Sequence, residues 1–142
     1  MLMTAGTRRD MSITEGNTMF KNTETFSSFS VSDLKAAKQF YGEKLGLDVT
    51  ESKEGLALKL NGGGLVFIYP KPNHSPASFT VLNFRVGNIE QAVDDLVKLG
   101  VTFEHYEGEI ATDAKGIHRG PGPTIAWFKD PAGNILSIIE RH

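Results

Sequence analysis

The stretch "FSSFSVSDLKAAKQFYGEKLGLDV", residues 26–49, sets how the rest of the chain is read. Its opening alternates small polar and apolar residues, the pattern of a half-buried strand. Asp33 then stands where a helix N-cap side chain accepts from the first free backbone N–H groups. Apolar residues recur at helical spacing up to Leu45, and Gly46 occupies the position after the helix, where a left-handed conformation ends it. Leu47 begins a second strand. The unit is strand, cap, helix, strand.

The same unit returns downstream. "FSVSDLKAAKQFYGEKLGLDVT" (29–50) lies over "FRVGNIEQAVDDLVKLGVTFE" (84–104). Phe29 meets Phe84, Val31 meets Val86, Asp33 meets Asn88, Leu34 meets Ile89 and Ala37 meets Ala92. With one deletion, Lys44-Leu45-Gly46 meets Lys98-Leu99-Gly100. Each copy is followed by a hairpin pattern. The first is "GLALKLNGGGLVFIYP" (55–70). The second is "TIAWFKDPAGNILSIIE" (124–140), with Asp130-Pro131-Ala132-Gly133-Asn134 as its turn. The triple glycine at 62–64 is a turn, because no helix follows it to supply phosphate-binding amides. The expected fold is α+β: two βαβββ modules, about 23–70 and 79–140, within one domain over 23–142.

Strand alternation assigns faces. Ser27, Phe29, Val31, Leu82, Phe84, Val86, Leu56, Leu58 and Leu60 are expected on the helix side. Phe26, Ser28, Ser30, Ala57, Lys59, Phe67, Tyr69, Val81, Asn83, Arg85, Ile125, Trp127, Ile135 and Ser137 are expected on the other side, lining a concavity. Such a mixed aromatic and polar surface suits a small organic ligand. Trp127 with Phe26, Phe67 and Tyr69 offers a stacking wall, or else core or interface packing. Arg85 and Lys59 offer cations to an anionic or oxygen-rich ligand, or form internal pairs with Glu104 or Glu140.

Composition narrows the function classes. The chain has 142 residues, 39% hydrophobic and 23% charged, with a net charge of −2. That balance gives no support for nucleic-acid binding. With no cysteine, disulfides, thiolate nucleophiles and cysteine zinc sites are excluded. No apolar run reaches the roughly 20 residues of a membrane span. Residues 1–22 read as a flexible tail without the apolar core of a secretory signal, so a cytoplasmic location is expected. Methionines at 1, 3, 11 and 19 leave the true start open. "YPKPNHSPA" (69–77), with three prolines, is expected to be a stiff, extended linker. "EGEIATDAKGIHRGPGP" (107–123) is long for a loop. It carries Asp113, Lys115, His118 and Arg119, either as a lid over the concavity or as a solvated excursion.

The residues "VSDLKAAKQFYGEKLGL" (31–47), "FRVGNIEQAVDDLVKLGV" (84–101) and "WFKDPAGNILSIIE" (127–140) resemble the vicinal oxygen chelate superfamily, the glyoxalase, bleomycin-resistance and ring-cleaving dioxygenase group. The match runs from about residue 24 to 140. The resemblance implies paired modules forming a half-open barrel, often in a homodimer with modules sometimes exchanged. It also implies a divalent metal held by His and Glu side chains in the cup. Here the corresponding places hold Phe26, Val81, Ser137 and either Phe67 or Ile68. Phe, Val and Ile cannot ligate a metal, and Ser is a poor ligand unaided.

The expected function is therefore binding of a small organic molecule in the cup, without metal or other cofactor, by a homodimer that engages neither nucleic acid nor membrane. The expected ligand-binding residues are Phe26, Ser28, Ser30, Lys59, Phe67, Tyr69, Asn83, Arg85, Trp127, Ser137 and His118. The alternative is a lyase or dioxygenase-type enzyme with a relocated site. It would be built from His105, His118 and nearby glutamates, or from an acid–base pair of His118 with Glu104 or Tyr106.

Overall fold

A computed structural model of the chain describes Gly16 and residues 18–141. Most of the expected tail, residues 1–15 and 17, lies outside the described residues. The elements follow one another as β1 (Ser27–Val31), α1 (Leu34–Lys38), β2 (Asp48–Glu51), β3 (Leu56–Lys59), β4 (Leu65–Pro70), β5 (Thr80–Val86), α2 (Ile89–Lys98), β6 (Ile117–His118), β7 (Ile125–Lys129) and β8 (Ile135–Glu140). They form two four-stranded mixed sheets, β1-β4-β3-β2 and β5-β8-β7-β6. In each sheet the first strand runs parallel to the last, and the remaining pairs are antiparallel. This is the expected two-module α+β fold. The sheets do not close into a barrel.

The repeat has its physical counterpart at both helix starts. Asp33 Oδ1 accepts from the N–H groups of Lys35 and Ala36 at 3.0 and 3.2 Å. Asn88 Oδ1 accepts from Gln91 N–H at 3.0 Å. The helix ends differ. α2 closes on Gly100 (φ 94°), with Val101 N–H returning to Leu96 O at 3.0 Å, a Schellman arrangement. α1 instead widens into a π-helical turn over Gln39–Lys44, where Leu45 N–H reaches back five residues to Phe40 O. The wider turn accompanies the burial of two consecutive aromatic residues, Phe40 and Tyr41.

The core is one cluster spanning both modules. Leu56, Leu58, Val66 and Ile68 from the first sheet join Ala126, Phe128, Leu136 and Ile138 from the second, with Ile89 and Val93 of α2. Phe40 packs on Phe128 across the modules at a centroid distance of 6.3 Å. Each large apolar side chain so buried contributes about 1.5–3 kcal/mol.

Three segments depart from the sequence pattern. The strand expected after α2 is divided. Phe103 makes a lone bridge to Phe128, and β6 resumes the pairing with β7 at Ile117–His118. The long segment 107–123 therefore contributes a sheet edge as well as a loop. The linker turns at Lys71–His74, closed by His74 N–H to Lys71 O at 3.0 Å, and so is not extended throughout. In β5 the pairing with β8 slips between Thr80 and Leu82, a β-bulge at Val81.

Candidate ligand-binding site

The sheet faces turned away from the helices hold the candidate residues, and register fixes their neighbours. On the second sheet Asn83, Ser137 and Trp127 form one row across β5, β8 and β7. Arg85, Ile139 and Ile125 form the next row. His118 sits opposite Ile125 on β6. On the first sheet Ser28, Phe67 and Ala57 form a row, and Ser30 faces Tyr69. Lys59 lies between Asp48 and Leu65 and is exposed. The bulge changes one position. Thr80 takes the place opposite Ile135, and Val81 packs against the core.

Trp127 is the centre of the second face. Tyr106 meets it edge-on at 5.4 Å between ring centroids, and the His118 ring lies at 6.2 Å. His118 Nδ1 lies 3.0 Å from Ala111 O. A carbonyl only accepts, so Nδ1 carries the proton and Nε2 is left as the acceptor of the neutral ring. Burial and the neighbouring Glu104 carboxylate raise the Tyr106 pKa, while the Lys129 ammonium opposes them. Glu104 itself pairs with Lys129 at 3.6 Å. Ser137 is fully buried and donates its hydroxyl to Asn83 Oδ1. That bond orients the Asn83 amide with its Nδ2 donors left over. Arg85 is exposed and has no ion-pair partner among the described residues. The internal pairs considered for it are occupied otherwise, since Glu140 accepts from Ile89 N–H at 3.1 Å.

On the first face, a hollow of about 370 Å³ opens at the seam between β1 and β5. Ser28, Ser30 and Tyr69 line one side, and Phe79 and Thr80 the other. The Ser30 hydroxyl is engaged by His74 Nδ1 at 2.7 Å, and His74 Nε2 holds Ala132 O at 2.9 Å. Ser30 thus ties the modules together as well as lining the hollow. Phe26 and Phe79 are 66% and 67% exposed. Among the described residues no ring contact joins Trp127 to Phe26, Phe67 or Tyr69. The four-membered aromatic wall is not assembled within one chain.

The segment 107–123 divides its residues between two sides. Lys115 pairs with Asp94 of α2 at 3.0 Å, and Arg119 with Glu90 of α2 at 2.9 Å. Asp113 caps its own turn through the N–H groups of Lys115 and Ile117, both at 2.9 Å. Only His118, of the four polar residues singled out, reaches Trp127. Phe79 and His74 are additions to the expected set. Nothing local marks either of them.

The donors present do not fit a divalent metal at the places the resemblance indicates. Phe26, Phe67 and Val81 carry no ligating atom. Ile68 is buried in the core. The Ser137 hydroxyl is committed to Asn83. Among the described residues no group of three or more His, Cys, Asp or Glu side chains stands together as a ligand set.

Comparison with known proteins agrees with this architecture. The family described as Glyoxalase/Bleomycin resistance protein/Dioxygenase superfamily matches residues 25–138. A solved member of that superfamily from Sphaerobacter thermophilus superposes with a TM-score of 0.65 at 22% identity, covering 85% of this chain and 99% of its own. A glyoxalase family protein from Enterococcus faecalis gives 0.62 at 26% identity, covering 86% and 100%. TnmS3, an antibiotic binding protein from Streptomyces sp. CB03234, gives 0.59 at 22% identity, covering 85% and 98%. No curated protein matches the sequence.

Proposed function

The chain belongs to the Glyoxalase/Bleomycin resistance protein/Dioxygenase superfamily, and we propose that it binds a small organic molecule on its open sheet faces without a divalent metal. One observation carries the reading. The positions that would ligate a metal hold Phe26, Val81 and a Ser137 already bonded to Asn83. Trp127, Tyr106 and His118 form an aromatic cluster on the same face as Asn83 and Arg85. An aromatic floor with a few convergent polar groups recognises a planar ligand by stacking and orients it by hydrogen bonds. The role is sequestration of a small molecule. The fold supports it in one respect, since the antibiotic binding protein TnmS3 is built on the same fold.

The binding unit in this proposal is a homodimer in the cytoplasm. Phe79 lines the hollow at the β1–β5 seam and Phe26 immediately precedes β1, both of them exposed, and a second copy would cover them. Among the described residues no helix is long and apolar enough to cross a membrane.

The test is a titration of the single tryptophan's fluorescence with a panel of planar aromatic compounds, alongside elemental analysis of protein incubated with zinc, nickel, manganese and iron(II). Saturable quenching with metal well below one per chain is expected. Stoichiometric, chelator-sensitive metal would overturn the metal-free reading. The acid–base alternative retains one supporting observation, the Nε2 acceptor of His118 beside Trp127. It requires that His118→Ala abolish turnover with the fold intact.

A further inference from the structure

Resting on the binding reading above, we infer that the ligand of the second sheet is an aromatic acid. Its ring stacks at Trp127, and its acidic oxygens meet Arg85. The hydrogen-bonding polarity of the face carries the argument. Ser137 donates to Asn83 Oδ1, which uses the acceptor of that amide and leaves its two N–H donors. Arg85 stands on the same face one pleat along β5 and has no carboxylate partner among the described residues. Glu104, the carboxylate beside Trp127, is already paired with Lys129 at 3.6 Å. The ladder also continues one step past β8, with Arg141 N–H on Val86 O at 2.7 Å. Strand alternation carries Arg141 to the side of Ser137 and Ile139.

Around Asn83 and Arg85 the face therefore offers donors and positive charge, while the acceptor noted above, His118 Nε2, lies apart from them beside Trp127. A guanidinium fork is matched by the two oxygens of a carboxylate. An aromatic amine or a quaternary ammonium would instead meet unopposed like charge. Geometry sets the size of the ligand. Trp127 and Arg85 lie two strands and two residues apart in register, roughly 12 Å between Cα atoms at ordinary sheet spacings. A carboxylated fused-ring system covers that separation once the Arg85 side chain reaches inward.

The experiment compares anthraquinone-2-carboxylate with its neutral carboxamide by isothermal titration calorimetry on the full chain. The carboxylate is expected to bind about ten- to a hundredfold more tightly, the range of a hydrogen bond to a charged group. Arg85→Gln should bring that ratio down to about one, within the error of a hydrogen bond to a neutral group. Lys98→Gln, an exposed cation on α2, should leave the ratio intact. Circular dichroism verifies that each variant is folded. Equal binding of the two compounds to the unaltered chain would overturn the assignment of an acid and leave the binding reading standing. A ratio that survives in Arg85→Gln would overturn the role of Arg85. Binding of neither compound, or binding indifferent to Trp127→Ala, would overturn both readings together.

Discussion

The Tyr41 hydroxyl donates to Asp130 Oδ2 at 2.7 Å, joining two of the three sequence motifs that carry the family resemblance across a separation of 89 residues. Asp130 also accepts from the N–H groups of Ala132 and Asn134 through Oδ1, and from Asn134 Nδ2 through Oδ2. Asn134 Nδ2 reaches on to Ser30 O at 2.9 Å. The helix of one module is thereby fastened to a hairpin turn of the other and to its own β1. A buried carboxylate is tolerated here because both of its oxygens are supplied with donors.

Tyr41→Phe removes one of those donors inside the core. Leaving a buried charged acceptor short of a partner costs about 1–3 kcal/mol, which urea denaturation at neutral pH would read as a lower midpoint with an unchanged slope. Burial, with the Asp130 charge and hydrogen bond behind it, raises the Tyr41 pKa far above the ordinary phenol range. The unfolded chain ionises near pH 10, whereas the folded chain keeps its proton. The Tyr41 contribution is thus complete below about pH 10 and falls as pH rises beyond it. The alkaline loss of stability should be shallower in Tyr41→Phe than in the unaltered chain.

Gly55 is a position where backbone space rather than side-chain chemistry decides. It has φ 157°, and a Cβ there would come within 2.1 Å of Ile68 O in β4. Gly55→Ala must push apart β3 and β4 at the middle of the first sheet. A loss of about 1–3 kcal/mol or more is expected, as for an overpacked core. A Cβ at Gly62 meets nothing within 4 Å, so Gly62→Ala should incur only the left-handed conformational penalty, about 1–2 kcal/mol. Thermal denaturation of the two variants side by side would separate the effects. Equal losses would contradict the close approach at Gly55.

Much of this architecture is legible in the sequence because its signals are local. The N-caps Asp33 and Asn88, the closing Gly100 and the alternation in β3, β4, β7 and β8 are each written within a few residues. What is not legible depends on partners far along the chain. Nothing near Lys115 or Arg119 indicates that Asp94 and Glu90 will hold them, so a lid and a clasp look alike in sequence. The bulge at Val81 is set by its pairing with β8. The π-helical turn answers a demand for two adjacent buried aromatics, visible only once Phe128 and Asp130 are in place. The aromatic wall failed to assemble in one chain for a related reason. Alternation says which way a side chain points from its own sheet, and says nothing about how two sheets meet.

The clasp on α2 should matter for local order more than for global stability. The pairs Lys115–Asp94 and Arg119–Glu90 are between side chains 43–57% exposed, and such pairs contribute about 0–1 kcal/mol each. Arg119→Ala should leave the urea midpoint nearly unchanged, yet quicken hydrogen exchange in residues 107–118 and loosen His118 against Trp127. A large shift in midpoint without local exchange changes would rule out the clasp.

Asp113 supplies a pH test of the same segment. Burial opposes its ionisation, but the N–H groups of Ile117 and Lys115 and the nearby Arg119 outweigh that, and its pKa is lowered. A carboxylate depressed in the folded state stabilises above its unfolded value, about 3.9, and the contribution disappears as pH falls through the lower folded value. Asp113→Asn keeps an oxygen to accept from the turn and removes only the charge. The unaltered chain should be the more stable of the two at neutral pH, by an amount that stays level down to about pH 5. The gap should narrow as pH passes the ordinary carboxylate range and close below it. Urea denaturation at a series of pH values follows the gap directly. A difference that persists undiminished into strong acid would mean that the side chain's shape, and not its charge, holds the turn.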